Sequence, residues 1–99
     1  RRVDQANRHA DRALRRLGDE IRIARSTAGL SVRELARQSG FSRSYLSRIE
    51  QGQASGVSLR FLDVILTLLG MELSARPFPQ GPPLRNAQRL RGDLSRLVR

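Results

Sequence analysis

The side chains best suited to binding chemistry lie close together in the run FSRSYLSRIEQ, between residues 41 and 51. Phe41, Leu46 and Ile49 would share one side of a helix, while hydroxyl and guanidinium groups occupy positions 42, 43, 44, 47 and 48 on the other. A guanidinium group can bind a guanine edge or a phosphate through two parallel hydrogen bonds. This pattern indicates a helix that packs on a core through one side and enters a groove of phosphates and base edges with the other.

Residues for catalysis or metal binding are few. The one His, His9, lies among arginines, and the chain has no Cys, so a disulfide, a thiolate nucleophile and a zinc site are excluded. The nine acidic residues are scattered, and no Gly-rich phosphate loop is present. We therefore expect no enzymatic activity, no metal and no cofactor.

Two short helices joined by a tight turn must position the binding side chains. Residues 32–39 and 43–51 have helical apolar periodicity, and Ser31 and Ser42 are suitable N-caps. Gly40 supplies the left-handed residue that ends the first of these helices. The segment therefore predicts a helix-turn-helix, with two ordinary core helices of an all-α domain as the alternative.

The run GFSRSYLSRIEQG resembles the Cro/repressor (Xre-type) helix-turn-helix family. The resemblance covers about residues 17–69, and the positions in register are Leu35, Ala36, Gly40, Leu46, Ile49, Glu50 and Gly52. It implies an all-α, lambda-repressor-like DNA-binding domain of four to five helices.

The resemblance also implies which side chains face DNA. The base-reading positions are Ser42, Arg43, Ser44, Ser47 and Arg48. We expect Arg43 and Arg48 to bind guanine; the alternative for each is a phosphate contact, which carries no sequence information.

Phosphate contacts are expected near the N-termini of the second helix, over residues 32–39, and of a fourth helix predicted to start after Ser58. The expected ligands there are Ser31, Arg33, Gln53, Ser55 and Arg60. Tyr45 is also expected to contact a phosphate, through its hydroxyl group. Tyr45 fits packing against the second helix equally well. Val32 departs from the family, because many phage repressors have a Gln there that contacts phosphate, so the contact passes to Ser31 or Arg33 or is absent.

The family pairs an Arg late in helix 1 with a Glu at the end of the recognition helix. The matching residues here are Arg25 and Glu50, which we expect to form a structural ion pair. Loss of one partner is costly where such a pair is buried. The alternative is that both side chains are exposed and unlinked.

The chain divides into four predicted parts. Residues 1–16 form a basic helical arm, residues 17–76 the helix-turn-helix domain, residues 77–83 a Pro/Gly linker and residues 84–99 a basic amphipathic helix or tail. Gly18 weakens the helical pattern of residues 4–28, and we expect it to separate the arm from helix 1. The last segment could pack on a dimer, contact DNA flanks or contact a membrane surface. Because the chain does not begin with Met, it fits a module of a longer protein.

The fourth helix, which starts after Ser58, carries two apolar stripes, of which only one is needed to close the core. The second stripe consists of Phe61, Val64 and Leu68. Next, Met71, Leu73 and Ala75 alternate with polar residues, which predicts a short C-terminal strand that has no partner within the chain. We expect both features to form a homodimer interface; the alternatives are cover by the C-terminal segment and an irregular tail. This tail resembles the HipB-like antitoxin branch of the family.

All 19 basic residues are Arg, and the net charge of +10 favours a polyanionic partner. Residues 1–16 carry +4, residues 17–75 carry +1 and residues 76–99 carry +5. The two arms therefore either supply long-range attraction to DNA or serve as solvated tails.

These observations favour a sequence-specific double-stranded DNA-binding regulator, most simply a repressor that binds a palindromic operator as a homodimer. A cytoplasmic location fits, since no apolar run reaches the length of about 18 residues that a membrane span needs. One rival is a type II antitoxin that binds its operator and a toxin protein. Another is an interaction module whose partner is a protein rather than DNA.

Overall fold

Four helices form the computed structural model, which describes residues 2–79 and 81–82. They are α1 (Arg2–Thr27), α2 (Val32–Ser39), α3 (Arg43–Glu50) and α4 (Leu59–Leu68). None of these described helices is both long and apolar enough to cross a membrane. The predicted all-α fold, with α2 and α3 as the helix-turn-helix, is confirmed.

The helix ends follow from their capping residues. Ser31, Ser42 and Ser58 each accept a hydrogen bond from the backbone N–H three residues later, and so start α2, α3 and α4. Gly40 ends α2 in the left-handed conformation, with φ of 79°, and its N–H donates to the Ala36 carbonyl. Only three residues separate α2 from α3, so the two helices are held in a fixed relation.

The core takes one fully buried aliphatic side chain from each helix: Ile21, Leu35, Leu46 and Ile65. The other buried apolar residues are Ile49, Ala54, Leu62 and Leu66. Burial of one large aliphatic side chain contributes about 1.5–3 kcal/mol. The buried side of α3 is thereby anchored, and its polar side faces away from the core.

α1 is one continuous helix of 26 residues, so the predicted separation at Gly18 is wrong. Gly18 is buried against the end of α3, where an added Cβ would clash with the Ile49 carbonyl oxygen and lie 2.8 Å from that of Glu50. Gly52 approaches α1 as closely, since its Cβ would lie 2.6 Å from Arg15 Cα. The helix-propensity cost of glycine, about 1 kcal/mol, does not break the helix, and the missing side chain permits the backbone contact.

The strand predicted after α4 is not formed within the single chain. Residues 71–79 have no regular secondary structure, and the described residues contain no strand to pair with them. A strand needs a neighbour for its backbone N–H and C=O groups, and the described residues of one copy supply none. Leu73 still packs against the core, and its N–H donates to Asp63 Oδ1 at 3.4 Å. The helix predicted for residues 84–99 lies outside the described residues.

Candidate nucleic-acid interface

The N-terminal ends of α2 and α3 open onto one shallow surface depression. It is lined by Ser31, Val32, Arg33, Ser42, Arg43, Ser44 and Ser47. All of these except Val32 are residues that we predicted to contact DNA. The depression therefore brings together four predicted base-reading residues and two predicted phosphate ligands, whereas Arg48 lies outside its lining.

The polar side of α3 is open to solvent. Ser42, Arg43, Ser44 and Arg48 are exposed, and Ser47 is half-buried. Within the described residues, Arg43 has no ion pair and no ring contact. Its guanidinium group can therefore reach a ligand without breaking an internal interaction.

The first turn of α3 carries no acidic residue. Ser42 Oγ accepts the Tyr45 N–H at 3.1 Å, which leaves the hydroxyl proton available to a ligand. The first backbone N–H groups of a helix lack an intrahelical partner and lie at the positive end of its dipole. With Arg43 beside them, these groups form a surface that favours anions and base acceptors.

The first turn of α2 differs because it carries Glu34. Ser31 Oγ donates to Glu34 Oε1 at 3.0 Å and accepts the Glu34 N–H at 3.1 Å, while the Ser31 N–H donates to Glu34 Oε1 at 3.2 Å. The hydrogen bond from the Ser31 backbone, followed by that from its hydroxyl, lowers the pKa of Glu34. Ser31 therefore has no hydroxyl proton left for the predicted phosphate contact, and a carboxylate lies beside it.

Glu34 is not among the residues predicted from the sequence, although its signal is present there. A Ser followed three residues later by Glu is the pattern of a capping box. Of the α2 residues that line the depression, Val32 is half-buried and cannot form a side-chain hydrogen bond. Arg33 is therefore the one charged group that α2 contributes to the lining.

Tyr45 lies in a cluster of three aromatic rings. Its ring centroid is 5.5 Å from that of Phe41 and 6.4 Å from that of Phe61, in edge-on geometry, and Phe41 and Phe61 are 5.1 Å apart. The guanidinium carbon of Arg48 lies 5.8 Å from the Tyr45 centroid, within the range of a cation–π contact. Tyr45 therefore packs between α4 and Arg48, a contact that the sequence analysis did not anticipate.

The other predicted phosphate ligands, Gln53, Ser55 and Arg60, are exposed. They lie in the loop after α3 and in the first turn of α4, outside the depression. That turn carries no acidic residue, and Ser58 caps it through the Phe61 N–H at 3.1 Å. The start of α4 is thus electrostatically similar to the start of α3.

Arg25 and Glu50 form a bidentate ion pair. Arg25 Nε and Nη2 donate to the two Glu50 carboxylate oxygens at 2.7 and 2.9 Å, and Nη1 donates to the Leu30 carbonyl at 2.8 Å. The two side chains are 14% and 7% exposed. The hydrogen bond with Glu50 raises the pKa of Arg25. One guanidinium group therefore links α1, the segment before α2 and the end of α3.

The residues predicted for a dimer interface lie largely on the surface. Phe61, Val64, Leu68 and Met71 are 42%, 39%, 39% and 45% exposed. Ala75 is also exposed, and Leu73 is the one that is half-buried. We call Phe61, Val64, Leu68 and Met71 the apolar face; clustered apolar side chains of this kind often mark an interaction site.

Acidic and imidazole side chains do not gather into a metal site in the described part of the chain. No group of three His, Asp or Glu residues there could hold a metal ion. His9 is exposed on α1.

Comparison with known proteins gives matches that all concern helix-turn-helix proteins. A family model described as a helix-turn-helix domain matches residues 16–77. The HTH-type transcriptional regulator SlrR of Bacillus subtilis (strain 168) is 41% identical over 58 residues, which are 59% of this chain and 38% of SlrR. The HTH-type transcriptional regulators SinR of Bacillus subtilis (strain 168) and Bacillus licheniformis are each 33% identical over 57 residues, 58% of this chain and 51% of each SinR. No solved structure matches.

The aligned part of the chain thus spans about half or less of the length of these relatives. The family match includes α2, α3, α4 and the part of α1 that packs on them. It covers more than half of the chain, and with the resemblance of the helix-turn-helix motif it shows that the chain belongs to the Xre/Cro type of the helix-turn-helix domain family.

Proposed function

We propose that this chain is a sequence-specific double-stranded DNA-binding transcriptional regulator that inserts α3 into the major groove. The observation that carries the proposal is the depression where the ends of α2 and α3 meet, lined by hydroxyl groups and by Arg33 and Arg43. The related SlrR and SinR proteins are HTH-type transcriptional regulators, which supports the same function. Anchored on one side and open on the other, α3 has the form of a recognition helix.

The proposed roles divide between base and backbone contacts. Arg43 and Arg48 bind guanine O6 and N7, where a correct bidentate pair contributes about 1–3 kcal/mol of discrimination. The hydroxyl groups of Ser42, Ser44 and Ser47 contact neighbouring base edges. The backbone contacts come from Arg33, Gln53, Ser55 and Arg60, whereas Ser31 acts through its cap of α2.

We propose a homodimer as the active form. The apolar face lies on α4 and on Met71, three residues after the end of α4. A second copy is the partner that covers this face symmetrically and supplies residues 71–76 with a strand neighbour. Two copies of α3 would enter major-groove faces about 34–36 Å apart on a palindromic operator. A dimer bound across a promoter would act as a repressor.

No specific observation favours the antitoxin alternative. The relatives reported above are named as transcriptional regulators, and none of them is named as an antitoxin. We therefore propose the regulator alone.

Selection from random duplex DNA tests the proposed function. We expect wild-type protein to enrich a palindrome, and Arg43→Ala and Arg48→Ala each to relax the preference at one defined position per half-site. Arg37→Ala is the matched control, because Arg37 lies in the last turn of α2 and outside the depression. Failure of the wild-type protein to enrich any sequence would rule out the proposal. With six to ten phosphate contacts, affinity should fall by about 10³–10⁵ between 50 and 200 mM salt, whereas a protein partner on the apolar face should show little such dependence.

Sedimentation of the protein with and without the selected duplex tests the homodimer. Val64→Glu places a charge on the apolar face at a residue outside the aromatic cluster, and we expect it to yield a folded monomer with weaker operator binding. A wild-type protein that stays monomeric on its operator would contradict the dimer while leaving base reading intact.

A further inference from the structure

We propose that Tyr45 is a positioning residue, whose ring holds the Arg48 guanidinium group in place for base recognition, and is not a phosphate ligand. This inference rests on the proposed function, because it concerns how the same DNA-reading surface obtains its specificity.

The Tyr45 ring is itself held firmly. Its backbone N–H donates to Ser42 Oγ at 3.1 Å, so the residue sits in the capped first turn of α3. Its ring contacts Phe41, which follows α2, and Phe61, which lies on α4. Aromatic pairs with edge-on geometry and centroids within 7 Å attract each other beyond their buried area. Contacts with rings from two other segments of the chain therefore restrict the orientation of the Tyr45 ring.

Arg48 follows Tyr45 by three residues and so lies on the same side of α3. Its guanidinium carbon is 5.8 Å from the ring centroid, although the Arg48 side chain as a whole is exposed. A free Arg side chain samples many rotamers and loses that freedom when it binds a base. The ring restricts the side chain before DNA arrives, so less entropy is lost on binding.

Arg43 provides the internal comparison. It is also exposed and is also expected to read a base, yet it has no ring or ion-pair partner among the described residues. Loss of the Tyr45 ring should therefore affect the base read by Arg48 and leave the base read by Arg43 unchanged.

Two variants separate the ring from the hydroxyl group. Tyr45→Phe keeps the ring and removes the only group of Tyr45 that could bind a phosphate. Tyr45→Leu removes the ring and keeps an apolar side chain against Phe41 and Phe61. The expected effect of the ring follows from exposed cation–π contacts, which correspond to about a two- to fivefold change in an equilibrium constant.

The test uses the duplex enriched by the wild-type protein and two variants of it, one altered at the position relaxed by Arg48→Ala and one at the position relaxed by Arg43→Ala. We expect Tyr45→Leu to lower discrimination about two- to fivefold at the Arg48 position only. We expect Tyr45→Phe to keep the wild-type discrimination at both positions and the wild-type salt dependence. In the Arg48→Ala background, Tyr45→Leu should cause no further loss of discrimination.

Two results would overturn the proposal. The first is a Tyr45→Phe variant that binds all duplexes more weakly and whose logarithmic salt slope is smaller by about one, as expected from a lost phosphate contact. The second is a Tyr45→Leu variant that retains full discrimination at the Arg48 position. If the wild-type protein enriches no sequence at all, the proposed function fails, and the positioning role is then judged on the free protein.

A spectroscopic readout does not depend on DNA or on the stability of Tyr45→Leu. In the wild-type protein and in Tyr45→Phe, the Arg48 side-chain protons should be shifted upfield in NMR spectra by the aromatic ring, while those of Arg43 should resonate at ordinary values. Ordinary shifts for both arginines in the wild-type protein would show that the ring does not hold Arg48.

Discussion

The N-terminal ends of α2 and α3 look alike in sequence and differ in charge. Both begin with a serine cap, and both open onto the same depression. At α2 the cap is completed by the Glu34 carboxylate, while the first turn of α3 has no acid and carries Arg43. The negative charge of Glu34 therefore reduces the positive potential at the start of α2. At the start of α3 the helix dipole and Arg43 both contribute positive potential.

A capped helix end is therefore not automatically an anion site. The capping box stabilises α2 by occupying the groups that a phosphate would otherwise use. At α3 the Ser42 cap leaves a hydroxyl proton and a positive end available. One end therefore favours folding and the other favours binding, within a single depression.

Removal of Arg25 should have the largest effect on stability, because its one guanidinium group binds both the segment before α2 and the end of α3. We expect Arg25→Met to lower the free energy of unfolding by about 3–5 kcal/mol, since Glu50 is left buried without a partner. Urea denaturation measures this. The control is Arg22→Met, which breaks only an exposed pair with Asp19 and should cost about 0–1 kcal/mol. Equal losses from both variants would contradict this role.

Gly18→Ala should lower the stability of the protein through the contact between α1 and the end of α3. The added methyl group meets the carbonyl oxygens of Ile49 and Glu50, and overpacking of this kind costs about 1–3 kcal/mol. Thermal or urea unfolding measures the loss. Gly56→Ala is the matched control, because no atom lies near its added methyl group and its stability should be nearly unchanged.

Ser44→Glu should make the start of α3 resemble that of α2. A carboxylate there faces the DNA phosphates, and we expect operator affinity to fall about 10- to 100-fold. Thermal stability should not fall, because an acid in the first turn favours the helix. Gln5→Glu changes the net charge equally in the first turn of α1 and should leave affinity within about twofold. A comparable loss of affinity in both variants would assign the effect to net charge.

Glu34→Gln is the reverse change, in which the start of α2 comes to resemble that of α3. The amide oxygen can still accept the Ser31 hydrogen bonds while the negative charge is lost. Titration of the operator at low salt should show an affinity about two- to fivefold higher than that of the wild-type protein. Unchanged or weaker binding would mean that the Glu34 carboxylate does not repel the DNA phosphates.

Stability at low pH should show the smallest effect. Because hydrogen bonds lower the pKa of Glu34 in the folded state, its contribution to stability is present above the ordinary Glu pKa of about 4.3 and is lost as the pH falls through the lowered folded value. The thermal midpoint of Glu34→Gln should therefore fall less between about pH 5 and pH 3 than that of the wild-type protein. Parallel curves for the two proteins would exclude this linkage.

The locally determined parts of the fold were predictable from the sequence. The starts of α2 and α3 were predicted at their observed residues, and α4 was predicted to begin after Ser58, because each start depends on a serine cap and a following apolar period. Gly40 likewise ends α2 through its own conformational freedom. These features need no information from distant residues.

The features that were missed mostly depend on contacts between distant residues. Gly18 was predicted to interrupt the helix. Its missing side chain instead permits a close approach to residues more than thirty positions later, which a local pattern does not show. The aromatic contact between Tyr45 and Phe61 of α4, which helps to orient the Tyr45 ring, is not revealed by any local pattern. Glu34 is the exception, since its capping box could have been read directly from the sequence.

Close packing at Gly18 and Gly52 couples the orientation of α1 to that of α3. The chain contains no Cys, so Asn7→Cys would create a unique attachment point for a fluorophore, on an exposed turn about 16 Å along the helix from Gly18. Because backbone meets backbone at the contact, α1 cannot roll without moving the end of α3. The polarisation of such a dye would therefore report the tilt of α3 in real time as the protein docks on an operator.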